Sequence, residues 1–214
     1  MTQRLIVMQH HPAEGVGEIA LWAQRRGVAL EIHRADLGQI PAVTHHPCLL
    51  LGGPYAVHHA PAWLEHERAW LRERIVDQVP VFGICLGAQL LADALGAKIR
   101  TMDQAETGWT RIDFSDGSAL DALQWHEDSF TLPPGARLLA RSERCAQQMF
   151  ALGTRYLGVQ FHPEWNAALV DQLNAYFGNE SPLPRHVEED RFARMANWLD
   201  QQLDEWWPPS QALR

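Results

Sequence analysis

Apolar and polar positions in the first third of the chain follow two alternating patterns. Three apolar runs have the length of buried strands: 5–8, 28–33 and 48–51. Segments 15–26 and 62–77 instead carry apolar residues at helical spacing, and the first helix is expected to end at Gly27. The expected inward side chains of the second helix are Leu64, Ala69, Leu71 and Ile75. This alternation predicts an α/β fold, a mostly parallel sheet with helices on both faces.

The next strand and helix meet at an unusual junction. An apolar run over 79–84 is followed by good helix formers over 86–95. Cys85 stands between them, two residues from Gly83 and two from Gly87. A strand that turns sharply into a helix needs small neighbours, because bulky side chains would collide where the backbone doubles back. The pattern predicts a tight strand-to-helix turn with a cysteine at its apex.

After residue 98 the pattern changes to short strand candidates separated by turn signals. They cover 110–114, 122–125, 136–140, 146–150 and 156–161. We expect a small antiparallel elaboration that returns to the main sheet at Tyr156. Beyond Glu164 the pattern predicts helices over 165–177 and 187–206.

Size and composition restrict the classes of protein. The 214 residues predict a single domain over 1–214, in which 178–214 is a C-terminal helical extension. No apolar run approaches the roughly 18 residues of a membrane helix, so no membrane partner is expected. The formal charge of −8 argues against nucleic acid as a partner. The three cysteines are odd in number and far apart, so we expect no disulfide framework and a reducing, cytoplasmic setting.

Cys85 has two interpretations. A lone apolar-flanked cysteine is usually a buried core residue. A thiol at a strand-to-helix turn, however, is exposed above the sheet and faces the positive end of the helix, which favours the nucleophilic thiolate. The glycine spacing around Cys85 favours the nucleophile.

A thiol nucleophile needs a base and a group that orients the base. His162 and Glu164 follow the last strand candidate and are two residues apart, so in extended chain their side chains project to the same side. Pro163 favours that conformation at His162. Alone, such a pair is typical of a solvated strand end; together with Cys85 it predicts a triad in which the carboxylate orients the imidazole.

Acyl chemistry also needs donors for the oxyanion. The backbone N–H of Leu86, directly after the expected nucleophile at the helix start, is one candidate. Gly53, in the Gly52-Gly53-Pro54 turn that follows the third strand, is the preferred second donor.

Three motifs together resemble a known family. They are Gly-Ile-Cys-Leu-Gly-Ala-Gln at 83–89, Gly-Val-Gln-Phe-His-Pro-Glu at 158–164 and Leu-Leu-Gly-Gly-Pro at 50–54. In this order they resemble the class I (triad) glutamine amidotransferases, closest to stand-alone relatives of the GMP synthase amidotransferase domain, over roughly residues 1–175. The resemblance implies a flavodoxin-like fold, with Cys85 as nucleophile, His162 as acid/base and Glu164 as its orienting carboxylate.

The resemblance also implies substrate contacts. Gln89 would hold a glutamine substrate, and the backbone around His126 and Asp128 would contact its amino-acid end. His126 is either a second base or, as we favour, a positioned structural histidine. No cofactor is implied.

The function expected is hydrolysis of the glutamine side-chain amide through a Cys85 thioester, giving glutamate and ammonia. One alternative is hydrolysis of a γ-glutamyl peptide or conjugate with the same triad. An alternative of another class is a partner-binding protein that keeps the fold without turnover. GMP synthases continue into a synthetase domain that this sequence does not show. Relatives often carry Ser soon after the Gly-Gly-Pro turn, where this chain has Tyr55-Ala56-Val57. A synthetase partner that receives ammonia is therefore an open expectation, and so is the acceptor.

Two further groups of side chains have more than one interpretation. The doublets His10-His11, His45-His46 and His58-His59 lack metal-ligand spacing, so surface or packing roles are favoured and no metal site is predicted. The first and third doublets are expected at the rim of the site. Trp198, Trp206 and Trp207 either cap the core, which we favour, or form an interface with a partner. An oligomer is possible.

Overall fold

A computed structural model describes residues 3–42, 45–186 and 188–207. Its nine strands are β1 Arg4–Gln9, β2 Ala29–Arg34, β3 Cys48–Leu50, β4 Val81–Ile84, β5 Ile99–Phe114, β6 Ala119–Phe130, β7 Arg137–Arg141, β8 Met149–Leu152 and β9 Tyr156–Val159. Its five α-helices are α1 Glu18–Arg26, α2 Ala62–Val76, α3 Leu86–Ala94, α4 Ala167–Phe177 and α5 Glu189–Trp206. Within these ranges no helix combines the length and apolar character that crossing a bilayer requires.

All nine strands form one sheet in the order β2-β1-β3-β4-β9-β8-β7-β5-β6. The first five in this order are parallel to one another, whereas the other four continue the sheet in antiparallel pairs. β9 joins the two parts, because it pairs in parallel with β4 and antiparallel with β8. The predicted α/β fold and the return to the main sheet at Tyr156 are confirmed.

Side chains of the central strands alternate between two apolar cores. In β1, Leu5 and Val7 belong to one core, and Ile6 and Met8 belong to the other. Helices α1, α4 and α5 contribute to the first core, and α2 and α3 contribute to the second. The central strands are therefore covered on both faces, which explains their almost uninterrupted apolar sequences.

The inward face of α2 differs from the prediction. Ala69 is exposed, whereas Glu67 and Arg74 are buried on the face that also carries Leu64 and Leu71. An apolar pattern cannot identify buried charges, because their burial depends on partners elsewhere in the chain. For Glu67 that partner is His10, described below.

The antiparallel part is more extensive than predicted. Strands β5 and β6 form a long hairpin, of which the sequence pattern marked only 110–114 and 122–125. Much of β5 is exposed on both faces, so it lacks the alternation by which strands are recognised. β8 begins at Met149 rather than at residue 146, and β9 ends at Val159 rather than at residue 161.

The C-terminal helix packs on the body of the chain. The predicted helix over 187–206 is observed as α5, although residue 187 itself lies outside the described residues. Trp198 contacts Phe114 and Phe161, and Trp206 packs on Phe82. The Trp207 ring packs on Trp22. The favoured prediction that these tryptophans cap the core is confirmed.

Candidate active site

The candidate residues follow the carboxyl ends of four adjacent parallel strands, so they lie at one edge of the sheet. His10 follows β1, Gly53 follows β3, Cys85 follows β4 and His162 follows β9. In such sheets the carboxyl ends of the strands surround the binding crevice. A cavity of about 360 Å³ opens at this edge. Of the predicted site residues, those lining it are Gly53, Cys85, Leu86, Gln89, His126, Asp128 and His162.

Cys85 occupies a strained turn. Its backbone has φ 50° and ψ −110°, in the left-handed half of φ space that side chains other than glycine rarely adopt. A Cβ on Gly83 would lie 2.4 Å from the carbonyl oxygen of Gly87, and a Cβ on Gly87 would lie 2.2 Å from that of Leu50. Both glycines are therefore required by close backbone contact, and the predicted strand-to-helix turn is confirmed.

The sulfur of Cys85 faces polar groups at the cavity wall. Its Sγ lies 3.7 Å from Nε2 of Gln160, which donates to it, and 3.9 Å from the carbonyl oxygen of Trp125. The other two free cysteines, Cys48 in β3 and Cys145, are also buried but do not line this cavity. Cys85 is thus the one thiol of the three at the candidate site.

The imidazole of His162 lies between a carboxylate and the thiol. Nδ1 lies 2.8 Å from Oε1 of Glu164, and the ring stacks on Trp165 at 3.6 Å. Burial alone lowers the pKa of His162, but the negative charges of the Glu164 carboxylate and of the Cys85 sulfur outweigh it and raise the pKa to about 10. At neutral pH the ring therefore carries its proton beside the sulfur.

The backbone route to this pair differs from the prediction. β9 ends before Phe161, and Pro163 and Glu164 lie in a turn rather than in extended chain. The two side chains still meet because the turn folds the carboxylate back onto Nδ1. The His162 N–H also donates to the carbonyl oxygen of Leu123, which ties this turn to β6.

The two candidate oxyanion donors are neighbours. Leu86 is the first residue of α3, where a backbone N–H has no acceptor within the helix. A Cβ on Gly53 would lie 3.1 Å from Cδ2 of Leu86, so these residues adjoin across the cavity wall.

The predicted substrate contacts are linked to one another. Gln89 donates from Nε2 to the carbonyl oxygen of Asp128 at 3.1 Å. His126 has both ring nitrogens engaged, Nδ1 with the same carbonyl at 3.0 Å and Nε2 with Glu106 at 3.1 Å. The Asp128 carboxylate accepts from Thr101. These contacts favour a positioning role for His126 over that of a second base.

The structure also shows where the histidine doublets lie. His58 pairs with the Asp128 carboxylate at 3.3 Å, and His11 packs on Tyr176 and Phe177, of which Phe177 lines the cavity. His11 and His58 do not line the cavity themselves, but each contacts a residue that does, which agrees with a position at the rim. For His10 the prediction is wrong, because its side chain is fully buried. In the part of the chain that the structure describes, no three potential ligand side chains are grouped to hold a metal ion.

Sequence reasoning missed Glu14. Its side chain lines the cavity, and one carboxylate oxygen and His162 Cε1 both crowd the space beside Gly52. Burial raises the pKa of Glu14 to about 7, and the nearby charge of His162 opposes that rise. The only signal was its position in the turn after β1, at the expected edge of the sheet.

We expect Glu14→Gln to stabilise the protein at high pH. The pKa of this carboxyl is about 7 in the folded chain against an ordinary 4.5, so this group has little effect on stability below pH 4.5 and destabilises the folded state increasingly as pH rises from there to 7. The variant should have a free energy of unfolding higher by about 2–3 kcal/mol at pH 8, with little difference at pH 4. Urea denaturation at both pH values measures this. Glu143→Gln, at an exposed glutamate, is the control; an equal pH dependence in both variants would contradict the prediction.

Comparisons with known sequences agree on one family. The sequence model described as "Glutamine amidotransferase class-I" matches residues 19–173. The GMP synthase [glutamine-hydrolyzing] of Pseudomonas aeruginosa is 34% identical over 167 residues, covering 68% of this chain and 31% of that protein. The chain thus spans about a third of the length of such relatives. The glutamine amidotransferase-like protein YfeJ of Salmonella typhimurium is 27% identical and covers 94% of this chain and 93% of its own length.

Solved structures share the fold along the whole chain. The glutamine amidotransferase of Methylobacillus flagellatus superimposes with a TM-score of 0.88 at 24% identity, covering 100% of this chain and 96% of that one. The glutamine amidotransferase of Thermotoga maritima gives 0.89 at 24% identity, covering 98% and 100%. The predicted flavodoxin-like fold is confirmed.

Proposed function

Because this chain belongs to the class-I glutamine amidotransferases, we propose that it hydrolyses the side-chain amide of glutamine to glutamate and ammonia. The nucleophile in this proposal is Cys85, with His162 as acid and base and Glu164 as the carboxylate that orients it. Gly53 and Leu86 supply the oxyanion donors.

One observation carries the proposal. A cysteine on a strained strand-to-helix turn and a histidine bonded to a buried glutamate face the same cavity, although they follow different strands. Neither feature is needed to stabilise the fold. The turn at Cys85 strains the backbone, and burial of the His162–Glu164 pair removes two ionisable groups from water, which is unfavourable. Such strain and burial are typical of sites where chemistry requires them.

The proposed reaction has two halves. The Cys85 thiolate attacks the amide carbon, and the oxyanion accepts hydrogen bonds from the Gly53 and Leu86 N–H groups. His162 gives its proton to the amide nitrogen, the C–N bond breaks, and ammonia leaves a thioester. His162 then takes a proton from water, which attacks the thioester carbon. The C–S bond breaks and glutamate leaves. Glu164 holds the ring on Nδ1 throughout, so the other ring nitrogen handles each proton.

The amino-acid end of glutamine would bind on the opposite side of the cavity. Gln89 and Asp128 line that wall and are already bonded to each other. In this proposal the α-ammonium group binds near Asp128. His126, which is bonded to Glu106 and to the Asp128 carbonyl oxygen, holds this part of β6 in position.

The cavity wall also supports the second substrate class. Tyr55, Trp125 and Phe177 line the same cavity. Aromatic walls suit an apolar group on the leaving amine, as in a γ-glutamyl conjugate. The triad would act identically on that substrate, releasing an amine in place of ammonia.

We expect the purified protein to release glutamate from glutamine. The assay measures glutamate formation from glutamine and from a panel of γ-glutamyl amides and peptides, and aspartate formation from asparagine. Turnover of glutamine above all others supports amide hydrolysis, and faster turnover of a conjugate supports the second substrate class. No turnover, together with failure of Cys85 to react with a diazo-ketone analogue of glutamine, would instead favour a binding protein without catalysis.

The use of the ammonia is a further part of the proposal. One relative, from Saccharolobus solfataricus, is named as a subunit of glutamine-hydrolyzing GMP synthase, and this chain is 36% identical to it over 123 residues. By analogy with that name, a separate synthetase would receive the ammonia from this chain. Affinity capture with and without ATP, followed by assay for glutamine-dependent synthesis, tests this part.

A further inference from the structure

The Gly52–Gly53 peptide is held by a buried ion pair that the mechanism above does not use. We infer that His10, paired with Glu67, is a positioning residue that fixes this peptide with the Gly53 N–H turned toward the cavity. The inference rests on the proposed function, because it concerns the oxyanion donor. It assigns a role in the reaction to two side chains outside the triad.

The contacts around the His10 ring set its hydrogen-bonding state. The ring is fully buried, with Nδ1 at 2.9 Å from the carbonyl oxygen of Leu51 and 3.1 Å from that of Gly52. Nε2 lies 3.0 Å from both carboxylate oxygens of Glu67. Carbonyl and carboxylate oxygens only accept, so both ring nitrogens must donate. Burial lowers the pKa of His10, but Glu67 and the two carbonyls outweigh it and raise the pKa.

The bond to the Gly52 carbonyl determines where the next N–H points. The Gly52 oxygen and the Gly53 nitrogen belong to the same peptide group. The described residues contain no cis peptide bond, and in a planar trans peptide the C=O and N–H point in opposite directions. His10 holds the oxygen on its buried side. The Gly53 N–H is thereby directed away from His10, and Gly53 lines the cavity.

Two consecutive glycines make such a restraint necessary. A Cβ on Gly52 would lie 2.6 Å from Cε1 of His162, and a Cβ on Gly53 would lie 2.8 Å from Cβ of His10. Close packing therefore requires glycine at both positions. A peptide between two glycines is free to rotate to the inverted orientation, because neither residue has a side chain to restrict φ and ψ. The hydrogen bond from His10 to the Gly52 carbonyl oxygen restricts the rotation of this peptide that the two glycines would otherwise allow.

The His10 ring is also held by helix α2, which contacts the ring nitrogen that does not face the peptide. Glu67 lies in the middle of α2, is fully buried, and reaches Nε2 from the helix that covers this face. Trp63, one turn earlier on α2, stacks near the His10 ring with 6.0 Å between centroids. The orientation of the peptide therefore depends on the docking of α2, which is remote from the reacting atoms.

The test removes the ion pair as a unit, so that no unpaired charge is left buried. We expect His10→Phe with Glu67→Leu to lower kcat for glutamine by about 10²–10³-fold, the usual effect of losing one oxyanion donor. KM should stay within about threefold, because the donor acts on the transition state. Alkylation of Cys85 by iodoacetamide develops no oxyanion, so its rate should stay within about twofold of wild type.

Two further variants separate the hydrogen bond from the charge. Glu67→Gln preserves the shape of the pair and leaves a proton on Nδ1, so kcat should stay within about threefold of wild type. His10→Asn with Glu67→Gln places an amide donor near the Nδ1 position and should recover kcat to within about tenfold.

Several results would overturn the inference. One is a folded His10→Phe/Glu67→Leu protein with wild-type kcat; another is an equal fall in kcat and in the iodoacetamide rate, which would place the damage in the triad. A crystal structure of the same variant tests the inference independently of activity. We expect the Gly52 carbonyl oxygen to leave its position, and an unmoved Gly52–Gly53 peptide would refute the inference. If the wild type hydrolyses no glutamine, the proposed function fails, and this structural readout still applies.

Discussion

Cys85→Ala is expected to lower kcat/KM for glutamine by at least about 10⁴-fold, because loss of the proposed nucleophile would abolish the thioester route rather than weaken it. No other thiol can substitute. Cys48 lies in β3, Cys145 contacts Ser129, and neither of them lines the cavity. The variant should bind glutamine normally, because the groups proposed to hold it are unchanged. Rates of glutamate release and isothermal titration with glutamine measure both effects.

Cys145→Ala provides the matched control. It also removes a buried thiol, but one outside the cavity, so its kcat should stay within about twofold of wild type. Mass spectrometry after treatment with a diazo-ketone analogue of glutamine should locate the adduct on Cys85 and on neither other cysteine. Retention of turnover in Cys85→Ala, or loss of turnover in Cys145→Ala without loss of folding, would refute the assignment.

Gly87→Ala is expected to lower the free energy of unfolding by about 3 kcal/mol or more. The added Cβ would lie 2.2 Å from the carbonyl oxygen of Leu50, a backbone atom that cannot rotate away. In an ordinary helix the same change is stabilising by about 1 kcal/mol, so the sign of the effect reports the contact. The loss is a large fraction of the roughly 5–15 kcal/mol that stabilises a typical domain. Urea denaturation at 25 °C measures it.

Gly15→Ala is the control for Gly87→Ala. No atom lies within 4 Å of a Cβ at this position, so its stability should change by less than about 0.5 kcal/mol. Any Gly87→Ala protein that folds should also lose activity, because relief of the clash must move the turn that carries Cys85. Unchanged stability in Gly87→Ala would show that β3 and α3 can separate at no cost, contrary to the contact described.

Local motifs and distant contacts differed in how far they could be predicted. The turn around Cys85 is encoded within a few residues, because a reversal of the backbone restricts side-chain size at once. The bond between His162 and Glu164 was also expected, although the turn that forms it was not. Glu67 was missed altogether. A charged residue on a helix is usually solvated, and its partner His10 is 57 positions away in the sequence.

Glu14 illustrates the same limit for a residue of the cavity itself. A glutamate in a loop has no periodicity from which burial can be inferred, and it has no spacing relation to Cys85 or His162. Its surroundings exist only once β1, β3, β4 and β9 lie side by side in the sheet. Its raised pKa follows from that packing and from no property of the neighbouring sequence.

The sequence alone was enough to predict the strand–helix alternation, the tight turn at Cys85, the identity of the triad candidates and the family they resemble. Each of these depends on period, residue size or short spacing, which act between near neighbours in the chain. The tertiary structure alone decided the long β5–β6 hairpin, the burial of Glu14 and the pairing of His10 with Glu67. Those features depend on which surfaces meet across the sheet, and desolvation there changes what a charged side chain does.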